Sequence, residues 1–181
     1  MRAERNLMAK RMSFQNGPVP LNPRRTNISV DANALDLDGS TRDDLVRRFK
    51  AMSDALELVV VVAAGIRGEV RNPRTPSNVQ AAVLPQIFNM RAGLTHAQQG
   101  ERRRLAEILQ GNADANTHAA DASHLSEAVE TGCAYFITHD KRILRKRDEL
   151  RQAIPPTLQI VSLAEFFEIV DGYDANDVSS I

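Results

Sequence analysis

Residues 119–140, AADASHLSEAVETGCAYFITHD, decide the predicted fold of this chain. Ala119–Thr131 is predicted to be a helix that ends at Gly132, because glycine is a common residue just beyond the last turn of a helix. Ala134–Thr138 follows almost directly and has the composition of a short buried strand. A helix that leads straight into a buried strand is the repeating unit of α/β proteins.

The same alternation continues on both sides of this stretch. Ile28–Val30, Leu58–Val62 and Leu158–Val161 are predicted to be strands, and the second is β-branched without alternation, as expected for a strand covered on both faces. Strands separated by helices predict a three-layer α/β fold, in which a central parallel sheet of about four strands has helices on both faces. The other predicted helices are 41–55, 66–70, 77–91, 96–110, 141–152 and 164–170.

The 181 residues are enough for one compact domain. Residues 1–26 carry six basic residues against one acidic residue and are predicted to be a flexible basic arm, although the whole chain has no net charge. Residues 27–171 form the predicted folded domain, and residues 172–181 a C-terminal tail. No apolar run is long enough for a membrane span, and a single cysteine without a secretory signal favours a cytoplasmic location.

Acidic residues follow the ends of three predicted strands. Asp31 comes directly after the first strand, Glu69 lies on the short helix after the second, and Asp140 comes two residues after the third. The carboxyl ends of parallel strands meet at one edge of a sheet, so a single crevice could gather these side chains. Asp121, which opens the helix before the third strand, is a fourth candidate.

A cluster of this kind predicts a metal ion. Two carboxylates about 5 Å apart repel each other by roughly 3 kcal/mol at an effective dielectric of about 20. The cluster must therefore take up protons or bind a hard cation, and carboxylate oxygens suit Mg²⁺ or Mn²⁺. Such ions can activate a water molecule and stabilise displacement at a phosphodiester.

The motifs around these acids resemble the PIN-domain family. Asp31-Ala-Asn-Ala-Leu resembles the D-x-N-x-L opening of PIN domains, Gly65-Ile-Arg-Gly-Glu-Val fits the segment with the central glutamate, and residues 120–144 resemble the C-terminal half. The likeness spans residues 27–170 and is most specific in the C-terminal half. It implies a ribonuclease dependent on Mg²⁺ or Mn²⁺, commonly the toxin of a bacterial VapC-type toxin–antitoxin pair.

The resemblance also implies roles for individual residues. It implies metal-binding catalytic carboxylates at Asp31, Glu69, Asp121 and Asp140, with polar supports at Asn33 and Thr138. Asp114 lies close enough in sequence to compete with Asp121 as the third of these four carboxylates. The Ala-Asp-Ala-x-His-Leu motif surrounds Asp121 and favours Asp121. The implied partners are an RNA substrate, a protein antitoxin and a second copy of the chain.

Basic residues flank two of the acids and are candidate substrate contacts. Arg67 and Arg71 lie on either side of Glu69, while Lys141 and Arg142 follow Asp140. An acidic metal site needs nearby cations to hold an anionic nucleic-acid backbone. The alternative for the basic residues after Asp140 is a solvated helix face.

Two other functions fit parts of the sequence. Asp36-Leu-Asp38-Gly-Ser-Thr resembles the aspartate-nucleophile motif of haloacid-dehalogenase phosphatases, which requires residues 31–35 to be a buried strand. If they are not a strand, Asp38 and its neighbours are expected to form a turn that caps the next helix. A PIN-like fold kept as a catalytically silent binding module is the second alternative.

The histidines do not predict a zinc site. His118 and His124 flank Asp121, but at about 100° per residue they point roughly 120° apart around a helix. They are therefore expected to be surface or capping residues. His139 is expected to face solvent.

Overall fold

The structure, a computed structural model, describes residues 20–61, 95–111 and 118–178. Within these ranges one parallel sheet has the strand order β2-β1-β3-β4. This confirms the predicted α/β class and a four-stranded parallel sheet flanked by helices. The strands are β1 (Asn27–Val30), β2 (Val59–Val61), β3 (Tyr135–Ile137) and β4 (Gln159–Val161). The α-helices are α1 (Arg42–Asp54), α2 (His96–Gln110), α3 (Ala119–Glu130), α4 (Lys141–Arg145), α5 (Arg147–Leu150) and α6 (Leu163–Val178), and 3-10 helices span Pro23–Arg25 and Ala32–Leu35.

Successive residues of the central strands enter two separate apolar clusters, one on each face of the sheet. On the first face, Tyr135 of β3 packs with α1 and α6, and the Phe166 ring centroid lies 5.5 Å from that of Tyr135 and 6.0 Å from that of Phe49. On the second face, Phe136 packs with α2 to α5. The largest helical contributors to that second cluster are Leu105, Leu109, Leu125, Ile143 and Leu150. The molecule therefore has three layers.

Helices α1 and α3 end in the same way, with a residue in the left-handed conformation. After α3, Gly132 has φ +64°, its N–H donates to the carbonyl of Val129, and the N–H of Cys133 donates to the carbonyl of Ala128. This pair of bonds is the Schellman motif, so the predicted helix end at Gly132 is confirmed. Leu56 takes the corresponding place after α1 with φ 58°, although it has a side chain.

Residues at both ends of the described chain belong to the folded structure. Residues 20–26, assigned to a flexible arm, pack against α6, because Arg24 donates to both carboxylate oxygens of Asp174 at 3.0 and 2.9 Å and also pairs with Glu57. The Tyr135 and Tyr173 hydroxyls donate to the carbonyls of Leu21 and Pro20. Residues 172–178, assigned to a tail, continue α6. Residues 1–19 and 179–181 lie outside the described chain.

Other predicted elements differ in extent. The helix expected over 141–152 is divided into α4 and α5 at Lys146, and the helix expected over 164–170 is the longer α6. The predicted helices 66–70 and 77–91 lie outside the described residues. In the described ranges, no helix combines the length and the apolar character needed to cross a membrane.

Candidate active site at the carboxyl edge of the sheet

The candidate site lies between the carboxyl ends of β1 and β3. The chain leaves β1 through α1 on one face of the sheet and joins β2, whereas it leaves β3 through α4 and α5 on the other face and joins β4. The connections from these adjacent strands therefore diverge, which opens a crevice at their carboxyl ends. Asp31 and Thr138 are the first residues after β1 and β3.

Thr138 joins the two halves of this crevice. Its buried hydroxyl donates to Asp31 Oδ2 at 2.8 Å and accepts from the N–H of Asp140 at 3.0 Å. The N–H of Asp31 donates to the carbonyl of Ile137 at 2.9 Å, so the β1–β3 pairing continues one residue into the site. Asp31 is only 5% exposed, and the bond from the Thr138 hydroxyl partly replaces the water that its carboxylate has lost.

Asn33 lies beside this network on the 3-10 helix Ala32–Leu35. Its Oδ1 accepts from the N–H of His139 at 2.9 Å and lies 3.4 Å from the Thr138 hydroxyl. The Arg42 guanidinium holds the same helix from α1 by donating to the carbonyls of Asn33 and Ala34 at 3.2 and 3.0 Å. His139 is exposed, as expected.

Asp140 is the N-cap of α4. Its Oδ1 accepts from the N–H of Arg142 at 2.6 Å and from the N–H of Ile143 at 3.2 Å. Among the hydrogen bonds of the described residues, none reaches its second oxygen, Oδ2. The first oxygen is thus committed to the helix.

His124 is the residue that the sequence interpretation missed. It is 3% exposed, and its Nδ1 lies 3.8 Å from Asp31 Oδ1, so the expectation of a surface or capping position is wrong for His124. The reason is its place on α3, because His124 and the buried Ala128 lie four residues apart on one side of the helix. That spacing could have indicated burial.

Asp121 lies one turn before His124, in the first turn of α3. Its Oδ2 is 3.0 Å from Nδ1 of His118, which occupies the N-cap position without capping the helix through its side chain. His124 brings α3 against Asp31, but the described contacts do not join Asp121 directly to Asp31 or Asp140. The structure thus links Asp31, Asn33, Thr138 and Asp140, and places Asp121 on an adjacent helix.

The remaining predicted ligands and contacts lie in other parts of the chain. Glu69, Arg67, Arg71 and Asp114 are outside the described residues. Within the described ranges, no group of three or more His, Cys, Asp or Glu side chains is arranged so that it could hold a metal ion. The described part of the site therefore supplies a pair of linked acids and not a full ligand set.

The two basic residues after Asp140 have different environments. Lys141 is exposed at the start of α4. Arg142 is half-buried, and its Nη2 donates to the carbonyl of Gln110 at the end of α2 at 2.9 Å. Lys141 therefore remains a candidate substrate contact, whereas the guanidinium of Arg142 already has a partner within the protein.

The phosphatase alternative lacks the strand that it requires. Residues 32–35 form a 3-10 helix, and Asp36 follows it instead of ending a buried strand. Asp38 lies in an exposed turn, where its Oδ1 accepts from the N–H of Ser40 at 3.0 Å. Asp43 accepts from the N–H groups of Asp38 and Gly39 at 3.1 and 3.2 Å, as expected of a turn that leads into a helix.

Comparisons of the chain with protein-family models, with curated proteins and with solved structures found no match.

Proposed function

We propose that this chain is a metal-dependent ribonuclease of the PIN-domain type, which hydrolyses RNA phosphodiester bonds with Mg²⁺ or Mn²⁺. The observation that carries the proposal is the Thr138 hydroxyl between Asp31 and Asp140, where the connections from β1 and β3 diverge. The hydroxyl contacts the carboxylate of Asp31 and the main-chain N–H of Asp140, which supports a site shared by the two strand-end acids. Ligand sites of open parallel sheets form at this position.

The donor atoms fit a hard divalent cation. Asp31 and Asp140 offer carboxylate oxygens, which suit Mg²⁺ and Mn²⁺ better than softer metals. Oδ1 of Asp140 is occupied by the N–H groups of α4, so Oδ2 would be the oxygen that this residue contributes to a cation. In the proposal Asp31 and Asp140 hold the ion, and Asp121 and Glu69 complete its carboxylate ligands.

When bound, such an ion activates water and stabilises charge on the phosphodiester during in-line displacement. The protein's part is to orient the acids and the substrate. Thr138 and Asn33 fix the carboxylate of Asp31 and the chain after β3, while exposed Lys141 binds a backbone phosphate next to the site. The water loses a proton as its oxygen bonds to phosphorus, the bond to the leaving oxygen breaks, and that oxygen takes up a proton.

A cleavage assay with matched aspartate variants tests the proposal. Wild-type protein should cleave RNA with Mg²⁺ or Mn²⁺ and lose that activity in EDTA, and each metal should raise its melting temperature. Asp31→Asn and Asp140→Asn should abolish cleavage, since each replaces a carboxylate by a neutral amide of the same shape. Asp36→Asn is the control and should retain activity. Wild-type activity in Asp31→Asn would refute the site.

The same variants separate the alternatives. Loss of activity in Asp36→Asn, together with hydrolysis of small phosphoesters but not RNA, would favour a phosphatase. Binding of RNA without cleavage at any metal concentration would favour a silent binding module. The toxin–antitoxin role belongs to the proposal and predicts growth arrest on expression, relieved by the product of a neighbouring gene. A homodimer is tested by the mass of the protein in solution.

A further inference from the structure

We infer that Arg142 is a positioning residue, whose guanidinium fixes α2 and α3 relative to Asp140, and that it does not bind the RNA backbone. The part of this inference that concerns catalysis rests on the proposed function. Its structural basis is a pair of cationic side chains at the C-terminal end of α2, the Arg142–Lys146 clasp. Arg142 Nη2 donates to the carbonyl of Gln110 at 2.9 Å, and Lys146 Nζ donates to the carbonyl of Ile108.

The clasp satisfies groups that a helix leaves unpaired. The last four carbonyls of a helix have no partner inside it, and together they carry a partial negative charge that attracts cations. Two of these carbonyls in α2 are bonded by the clasp. Gly111 permits the close approach, because a methyl group there would lie 3.0 Å from Lys146 Nζ and its φ of +53° disfavours a side chain.

Arg142 is bonded to the candidate site at its other end. Its main-chain N–H donates to Asp140 Oδ1 at 2.6 Å, while its guanidinium reaches α2. One residue therefore spans from the capping carboxylate of α4 to the end of α2. Any shift of α2 along this span would also move Asp140 or break one of the two bonds.

Helix α2 in turn carries α3. The two helices pack closely against each other, and Arg102 in the middle of α2 lies 3.9 Å from Glu127 and 3.8 Å from Glu130 near the end of α3. Helix α3 presents His124 to Asp31 and carries Asp121 one turn earlier. By holding α2, the clasp also holds α3, and Asp121 on it, relative to Asp140.

Arg142→Met and Lys141→Met form a matched pair, since each replaces a cation of α4 by an unbranched apolar side chain. If Arg142 is a positioning residue, Arg142→Met should raise the Mn²⁺ concentration that gives half-maximal RNA cleavage about 10-fold. An effect of this size is typical of residues that orient metal ligands. Its kcat should fall, and the dependence of RNA binding on salt should be unchanged. Lys141→Met should instead raise KM and lower the salt slope by about 0.7–1, as expected for one lost phosphate contact.

A measurement without metal or RNA makes the inference independent of activity. The N–H of Gly111 donates to the carbonyl of Glu107 in the last turn of α2, so its hydrogen exchange reports on that turn. Exchange should be faster in Arg142→Met and unchanged in Lys141→Met, even if the wild type cleaves no RNA and the proposed function fails. Arg142→Lys, which keeps the charge, serves if Arg142→Met does not fold and should also weaken Mn²⁺ binding. A lower salt slope in Arg142→Met, with wild-type exchange and Mn²⁺ dependence, would overturn the inference.

Discussion

Replacing Thr138 by valine removes the hydroxyl that joins the two acids while keeping the shape of the side chain. That hydroxyl donates to the Asp31 carboxylate at 2.8 Å and accepts from the N–H of Asp140 at 3.0 Å. A hydrogen bond to a charged group contributes about 1.5–3 kcal/mol, and a neutral one about 1 kcal/mol. Thr138→Val should therefore lower the free energy of unfolding by about 2–4 kcal/mol, the lower figure allowing for local rearrangement.

Thr138→Ser is the matched control, because it keeps the hydroxyl and removes one methyl group. Loss of a buried methyl group costs about 0.5–1.5 kcal/mol, so serine should be the more stable variant by about 1–3 kcal/mol. Urea denaturation in EDTA measures both values without a contribution from bound metal, provided that the m value is unchanged.

The Asp31→Asn background identifies which bond matters. If the bond to the charged carboxylate dominates, Thr138→Val should lower the free energy of unfolding by at least about 1 kcal/mol less in the Asp31→Asn background than in the wild type. The reason is that residues 31 and 138 are in contact, so their effects are not additive. Equal stability of Thr138→Val and Thr138→Ser would refute the reasoning. It would mean that loss of the Thr138 hydroxyl costs no more than loss of the Thr138 methyl group.

Three further predictions test other parts of the structure. Leu56→Gly should raise the free energy of unfolding by about 0.5–1 kcal/mol, because φ is 58° and the side chain is 88% exposed, and a lower urea midpoint contradicts this. Burial raises the pKa of Tyr135, so the neutral phenol stabilises the fold and this contribution is lost as pH rises above about 10. Tyr135→Phe should therefore reduce the fall in the free energy of unfolding above about pH 10. An unchanged fall would contradict the effect of burial on the Tyr135 phenol. A double-mutant cycle of Asp31→Asn with His124→Ala in EDTA should give a coupling of about 1 kcal/mol, whereas additive effects would mean that their 3.8 Å contact has no energetic role.

The parts of the site that lie in strand-end positions could be predicted from the sequence. Asp31, Thr138 and Asp140 follow short apolar runs, and in a parallel sheet the ends of such runs share an edge. Gly132 similarly marks a helix end through its own backbone freedom. Position after a strand and the backbone freedom of glycine have the same meaning in any α/β fold, so both could be used without the structure.

Contacts to main-chain carbonyls could not be predicted in this way. Arg142 donates to Gln110, and the tyrosines at 135 and 173 donate to residues 21 and 20, in each case to a carbonyl group that every residue possesses. Side-chain patterns carry no signal for such acceptors. The sequence therefore predicts a substrate contact for Arg142 and a flexible arm over residues 1–26, without any sign of these carbonyl contacts.

The two faces of the sheet are built from very different parts of the chain. The second face joins α2 to α5, which lie between residues 96 and 150, whereas the first face pairs α1 with α6. During synthesis at about 5–20 residues per second, the apolar side of α1 must wait roughly 6–25 s until α6 has been made. The side of Phe49 that contacts Phe166 therefore stays uncovered in a nascent chain until α6 has been made.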